Sequence, residues 1–187
     1  MENVDEVVFI PTNTLVLRSF APADPDFTAD LLWLRTAYYF GSHAVTDQDY
    51  FYLYYLLNKI TDLAPGWEYP YHFGGIVLLL EADMPVQALK LTNKGLAFHK
   101  TSWELYFMKG YILWKAFNNY KGAAEQIFKA SEIRGSPDYF APLSVTLAQK
   151  TGDDIFTASF AQFVMNSLKD ENQKKIIQKK MSGQSNQ

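Results

Sequence analysis

The stretch from Glu68 to Pro137 repeats when it is read against itself at an offset of about 35 residues. Several of the aligned positions hold small or apolar side chains in both copies. They pair Gly75 with Gly110, Leu78 with Leu113, Leu79 with Trp114, Ala88 with Ala123 and Gly95 with Ala130. A period of about 34 to 35 residues with small residues at fixed places is typical of stacked helical hairpins. The repeat therefore predicts an all-α fold.

Composition narrows the classes of function. The chain of 187 residues can form one substantial domain. Its net charge of −3 and its pI near 5.6 do not provide the basic face that nucleic acid requires, so no nucleic-acid partner is expected. The absence of cysteine excludes a disulfide framework, a cysteine-based zinc site and a thiol nucleophile. No apolar run reaches the roughly 18 residues of a membrane span.

Capping and breaking residues divide the chain into hairpins. Asp24 and Asp26 stand where a helix N-cap is expected. Side chains then recur on one helical face, namely Phe27, Leu31, Leu34, Ala37 or Tyr38, and Gly41. We expect Gly41 and Ser42 to end or pinch this helix, and Thr46 or Asp47 to cap the next.

The same reasoning, carried along the chain, predicts one repeat domain over residues 26–170. Its hairpins are expected at residues 26–65, 66–100, 101–137 and 138–168. Residues 1–25 form an N-terminal extension, for which a helix from about Asn13 to Phe20 is favoured over a turn between extended segments. Residues 171–187 are expected to complete a polar helix and then to be disordered from Ser182.

Four lysines lie near the C-terminus: Lys174, Lys175, Lys179 and Lys180. A solvated helix end is the favoured interpretation of this charge. The alternative is a basic anchor for phosphate or anionic lipid.

The hairpins carry small residues at matching places. First helices contain Gly41, Gly75 and Gly110, and second helices contain Ala88 and Gly95, Ala123 and Ala130, and Ala158. Over about 140 of the 187 residues this pattern resembles the tetratricopeptide repeat. The resemblance implies a right-handed α-α superhelix of about four hairpins, whose first helices line a concave groove for a peptide or partner helix. The first repeat departs from the pattern at Leu53 and Ile60, where alanine is expected.

A narrower likeness concerns the run Ala29–Gly41 together with Ile60–Pro65 and Phe73–Gly75. These segments look like a group of bacterial tetratricopeptide proteins that often carry a hydrophobic anchor just before the segment matching Val7–Pro11. The resemblance implies the soluble part of an envelope protein, anchored upstream and facing the periplasm. It favours that location over the cytoplasm.

No catalytic or metal-binding constellation is found in the sequence. His43, His72 and His99 lack ligand spacing, and Gly74-Gly75 lacks the lysine and hydroxyl residue of a phosphate loop. Lys150-Thr151-Gly152 matches a fragment of a penicillin-binding signature, but the chain contains no Ser-x-x-Lys. We therefore predict no enzyme, no metal and no cofactor.

Taking each first-helix glycine as a phase marker, the resemblance implies a largely apolar and aromatic groove. The candidate groove residues are Arg35, Tyr38, Tyr69, His72, Ile76, Leu79, Phe107, Tyr111, Trp114, Lys115, Thr146 and Gln149. Aromatic residues at helical spacing are as often core as groove. The carboxylate clamp of some family members is missing, because its places hold Tyr38, His72 and Ile76.

The predicted function is a non-catalytic interaction scaffold that binds a peptide or partner protein through this groove. One alternative is an oligomeric component of an envelope assembly, with the aromatic residues buried between subunits of a homo-oligomer. The other is a carrier that holds a small ligand or lipid between repeats.

Overall fold

The computed structural model describes residues 24–183, and this part of the chain is helical without strands. The helices are α1 Pro25–Ala44, α2 Leu53–Leu63, α3 Tyr69–Leu80, α4 Pro85–Phe98, α5 Trp103–Phe117, α6 Tyr120–Ser131, α7 Phe140–Gln149, α8 Asp154–Ser167 and α9 Glu171–Ser182. The predicted all-α fold is confirmed for the described residues, whose helices pack mainly on their neighbours in sequence. The helix expected at Asn13–Phe20 and the end of the expected tail lie outside the described residues.

The chain forms two compact units, residues 1–91 and residues 92–187, and the boundary falls within α4. We call them unit 1 and unit 2. Among the described helices, none combines the length and the apolar character needed to cross a membrane.

In unit 1, α2 packs between α1 and α3. Its apolar residues recur at three- and four-residue spacing, so Leu53, Leu56, Leu57 and Ile60 all reach the core and are completely buried. Tyr71 of α3 is also buried, and its hydroxyl donates to the Pro65 carbonyl at 3.2 Å.

In unit 2, α6 packs between α5 and α7, and α8 and α9 both contact α7. The centre of α6 is made of small and branched side chains, with Ala123, Ala124 and Ile127 completely buried. Val145 and Ala148 bring α7 into the same core, and Ile177 anchors the otherwise polar α9 to it.

Side-chain caps explain most of the helix starts. Asp24 accepts from the backbone N–H groups of Asp26 and Phe27 at 3.0 and 3.2 Å, so the predicted cap of α1 is confirmed. Asn119 caps α6 through the Gly122 N–H at 2.8 Å, and Asp153 caps α8 through the Phe156 N–H at 2.9 Å.

The predicted boundary between the first two helices was wrong. Gly41 and Ser42 do not end α1, which continues to Ala44. Asp47 does not cap α2, because its carboxylate is hydrogen-bonded to His43 Nδ1 at 2.6 Å and to the Asp49 N–H at 3.1 Å. Thr46 does not cap α2 either, because its hydroxyl donates to the Ser42 carbonyl at 2.8 Å.

The glycines of the first helices do not play equivalent parts. A Cβ on Gly110 would lie 2.6 Å from Ile127 Cγ1 and 3.2 Å from the Ala123 carbonyl oxygen, so this glycine lets α6 approach α5 closely. A Cβ on Gly74 would overlap Leu91 and crowd Leu57. Gly41, by contrast, faces open space. Gly41 and Gly110 occupy matching places in the repeat, but only Gly110 lies at a close helix contact.

Alanine substitutions at two of these glycines are expected to change stability in opposite directions. Gly110→Ala should lower the free energy of unfolding by about 1–3 kcal/mol, because the added methyl overpacks the α5–α6 contact. Gly41→Ala should raise it by about 0.5–1 kcal/mol, because alanine loses less backbone entropy in a helix and meets no neighbour. Urea unfolding of both variants beside the wild type measures the signs, and equal effects would contradict the packing assignment.

Stability at alkaline pH is expected to depend on Tyr71. Burial raises the pKa of this phenol to about 12, above its ordinary value of about 10. The unfolded chain therefore releases the proton first, and the free energy of unfolding should fall as pH rises from about 10 toward 12. Tyr71→Phe should flatten that fall while costing about 0.5–1.5 kcal/mol at neutral pH. Urea unfolding at pH 8 to 11 tests this, and an unchanged slope in the variant would contradict it.

Candidate functional site

The predicted groove residues divide evenly between the two units. Those in unit 1 are Arg35, Tyr38, Tyr69, His72, Ile76 and Leu79, and those in unit 2 are Phe107, Tyr111, Trp114, Lys115, Thr146 and Gln149.

The α3 members of the unit 1 set lie along one side of that helix. Tyr69 packs edge-on against Trp33 with ring centroids 5.3 Å apart, and 56% of its surface stays exposed. His72 Nε2 lies 3.0 Å from Glu68 Oε1, one turn away. Ile76 is exposed and Leu79 is half-buried. This side of α3 is apolar but is already partly covered at Tyr69.

Arg35 and Tyr38 do not join the α3 residues. The side of α1 that contacts α3 is marked by Trp33 and Phe40, whose rings pack edge-on against Phe73 at 5.2 and 5.4 Å. At 100° per residue, Arg35 and Tyr38 lie roughly 140–160° around α1 from those two rings. Both are exposed on the far side of the helix. The cause is the phase taken from Gly41, which does not mark a packed face.

A cavity of about 450 Å³ lies elsewhere in unit 1, lined by Asp26, Asp30, Ala64, Pro65, Gly66 and Trp67. Its walls include two exposed aspartates, so its lining does not favour a lipid chain.

Three of the unit 2 candidates are engaged in packing. Phe107 stacks on the buried Phe140 with ring centroids 4.8 Å apart and an interplanar angle of 3°. The other two candidates, Thr146 and Gln149, form hydrogen bonds with helix α9. Lys180 Nζ donates to Thr146 Oγ1 at 2.6 Å, and Gln149 Nε2 donates to the Lys180 carbonyl at 3.4 Å.

The remaining candidates form a compact group that also includes Lys150. We call Tyr111, Trp114, Lys115 and Lys150 the Trp114 surface. Lys115 Nζ lies 4.3 Å from the Trp114 ring centroid, Lys150 Nζ lies 5.4 Å from it, and Tyr111 packs edge-on at 6.1 Å. Both aromatic side chains are half-buried and both lysines are exposed.

Local structure positions each of these side chains. Tyr111, Trp114 and Lys115 stand on one side of α5 at three- and four-residue spacing, and Trp114 also packs on the unit 2 core. Lys150 is the C-cap residue of α7, where a cation meets the negative end of the helix dipole. Sequence reasoning missed Lys150, although a lysine at a predicted helix C-terminus was the available signal.

The Trp114 surface combines an apolar ring with two positive charges. Ammonium groups near an indole face are held by the ring quadrupole, at about 0.5–1 kcal/mol each when exposed. Both lysines are exposed, so their ammonium groups remain accessible as donors to a carboxylate. The indole and the two ammonium groups together offer an apolar contact and hydrogen-bond donors to a bound ligand.

Comparison with known proteins adds no relative. No protein-family model matches the sequence, and no curated protein is significantly similar to it. The likeness to tetratricopeptide repeats therefore stays a prediction from the residues.

Proposed function

We propose that this chain is a non-catalytic interaction scaffold that binds a peptide segment of a partner protein on the Trp114 surface. The observation that carries the proposal is the half-buried indole of Trp114 with two exposed ammonium groups beside it. Tryptophan and tyrosine are enriched among residues that dominate binding energy, because they present large apolar area with few rotatable bonds. Two packed helices, α5 and α7, hold the group in place before any partner arrives, which lowers the entropic cost of binding.

Charge defines the kind of peptide. Lys115 and Lys150 are the charged members of the Trp114 surface, and both lie close to the ring that would hold an apolar anchor. A segment with an aromatic or aliphatic anchor beside an aspartate or glutamate would therefore match it in both shape and charge. The tetratricopeptide resemblance supports the same use, since α5 is a first helix and first helices line the groove in that family.

Removing the ring is the first test of this function. Peptides that bind the wild-type chain would be selected from a displayed library of random 15-residue segments, and their dissociation constants measured by fluorescence anisotropy. Trp114→Ala should weaken binding by about tenfold or more, and Tyr111→Ala by less, as expected for a central anchor and its neighbour.

Ile155→Ala is the matched control, because Ile155 is an apolar side chain of the same unit that is 85% exposed on α8. Circular dichroism melts separate lost binding from lost packing, and Trp114→Phe retains an aromatic contact with the core. Selected peptides that bind both folded alanine variants as tightly as the wild type would refute the assignment.

Removing the charges is the second test. Lys115→Gln combined with Lys150→Gln should slow association with acidic peptides and make their affinity less dependent on salt, because steering by charge is screened by ions. The control is Lys121→Gln, since Lys121 Nζ also lies over an aromatic ring of unit 2, 4.8 Å from the Phe156 centroid. Stopped-flow association at 50 and 500 mM salt measures the effect. Equal salt dependence in all variants would contradict the charge matching.

A further inference from the structure

Helix α1 carries an apolar stripe that the described part of unit 1, residues 24–91, leaves exposed. Phe27, Leu31, Leu34 and Tyr38 are 59, 51, 66 and 67% exposed. The opposite side of the same helix is buried, with Ala29 and Thr36 completely inaccessible. A helix that is apolar on two opposite faces is normally covered on both.

The spacing of the residues in the stripe matches a contact with a second helix that lies alongside α1. The four residues are separated by four, three and four positions, and Gly41 and Val45 continue the alternation. Apolar residues alternating by three and four form the seam between two helices that pack side by side with knobs in holes. At 100° per residue the stripe spans only about 60° around α1, as narrow as such a seam.

Two opposite charges flank the stripe. Asp30 and Arg35 lie on either side of it, each roughly 50–80° from its centre line. Within residues 24–183 neither side chain takes part in an ion pair or side-chain hydrogen bond. Both are exposed. In a parallel two-helix seam, flanking residues five positions apart face each other across the two chains. Asp30 of one copy would therefore face Arg35 of the second copy, twice by symmetry.

We propose that two copies of this chain associate through the α1 stripe, with their α1 helices parallel about a twofold axis. Charge complementarity selects this arrangement. An antiparallel seam pairing Phe27 with Tyr38 would bring Arg35 opposite Thr28 and Asp30 opposite Ala37, with no ion pair. The occupant of the stripe is thus a second copy of the same helix.

The exposed area of the stripe is close to that of the smallest specific interfaces. Each exposed side chain of the stripe offers roughly 100 Å² of surface, which gives roughly 400 Å² per copy. With the flanking residues, the pair approaches the roughly 1,000 Å² at which specific interfaces begin. Helix α1 is already folded against α2 and α3, so association does not have to order it.

This inference is independent of the proposed peptide binding. The stripe belongs to unit 1 and the Trp114 surface to unit 2. Loss of self-association in an α1 variant should leave peptide affinity on the Trp114 surface unchanged, so either proposal can fail alone.

Sedimentation velocity of the full chain across a concentration series is the first measurement. The wild type should form a dimer, and Leu34→Glu should raise its dissociation constant at least about tenfold while circular dichroism stays the same. Ile155→Glu places the same charge on an exposed apolar residue of unit 2 and should leave the dimer intact. A wild type that remains a monomer at all concentrations overturns the proposal, whatever else covers the stripe.

Exchanging the charges tests the pairing itself. Asp30→Arg alone would place two arginines opposite each other on both sides of the seam, and Arg35→Asp alone would place two aspartates there. Each should weaken the dimer, and the double variant should restore it, because the opposite charges face each other again. Two single variants whose effects simply add in the double variant would overturn the Asp30–Arg35 pairing.

Crosslinking tests the direction of the helices, which is simple in a chain without cysteine. In the parallel arrangement Tyr38→Cys places the two thiols in the same layer of the seam, within reach of a disulfide. Mild oxidation should then give a covalent dimer on a non-reducing gel, and Ile155→Cys should not. In the antiparallel arrangement those thiols are roughly 16 Å apart. Crosslinking only between mixed Phe27→Cys and Tyr38→Cys chains would overturn the parallel arrangement.

Discussion

Close contact between neighbouring helices is the constraint on which the rest of this structure depends. In unit 2, Gly110 lies against Ile127 and the Ala123 backbone, and in unit 1 Gly74 lies against Leu57 and Leu91. At such places the space between helices admits hydrogen atoms rather than methyl groups. Trp114 stands one turn after Gly110 on α5, where it packs on the unit 2 core and stays half-buried. The closest helix contact and the candidate binding surface therefore lie on neighbouring turns of one helix.

The helix boundaries could be predicted in part because many of them depend on contacts between residues that are close in sequence. Asp24, Asn119 and Asp153 cap helices through backbone N–H groups two or three residues away, and such contacts need no distant partner. The start of α2 was predicted wrongly because Asp47 and Thr46 find other partners in the last turn of α1. Their side chains can act as caps or as loop contacts, and only the folded chain decides between them.

The candidate site was harder to predict because it depends on neighbours that are distant in sequence. The phase of α1 was taken from Gly41, and a glycine gives no sign of whether its surroundings are packed or open. Thr146 and Gln149 have the right position on α7, but α9 lies against them. Lys150 lies 36 positions after Trp114 in the sequence, and the spacing of residues within one helix cannot predict a contact between two helices. The sequence grouped Tyr111, Trp114 and Lys115 because they share one side of one helix.

Helix α1 shows why apolar periodicity alone does not identify a core. Phe27, Leu31, Leu34 and Tyr38 give the clearer repeat, yet the buried side of α1 is the one with Ala29, Thr36 and Tyr39. A wide, mixed face suits a helix that packs against two others at an angle, whereas a narrow face with alternating spacing suits one helix lying alongside. The two faces of α1 thus have the forms expected of two kinds of contact. One is used within unit 1, and the form of the other specifies a single helix as its complement.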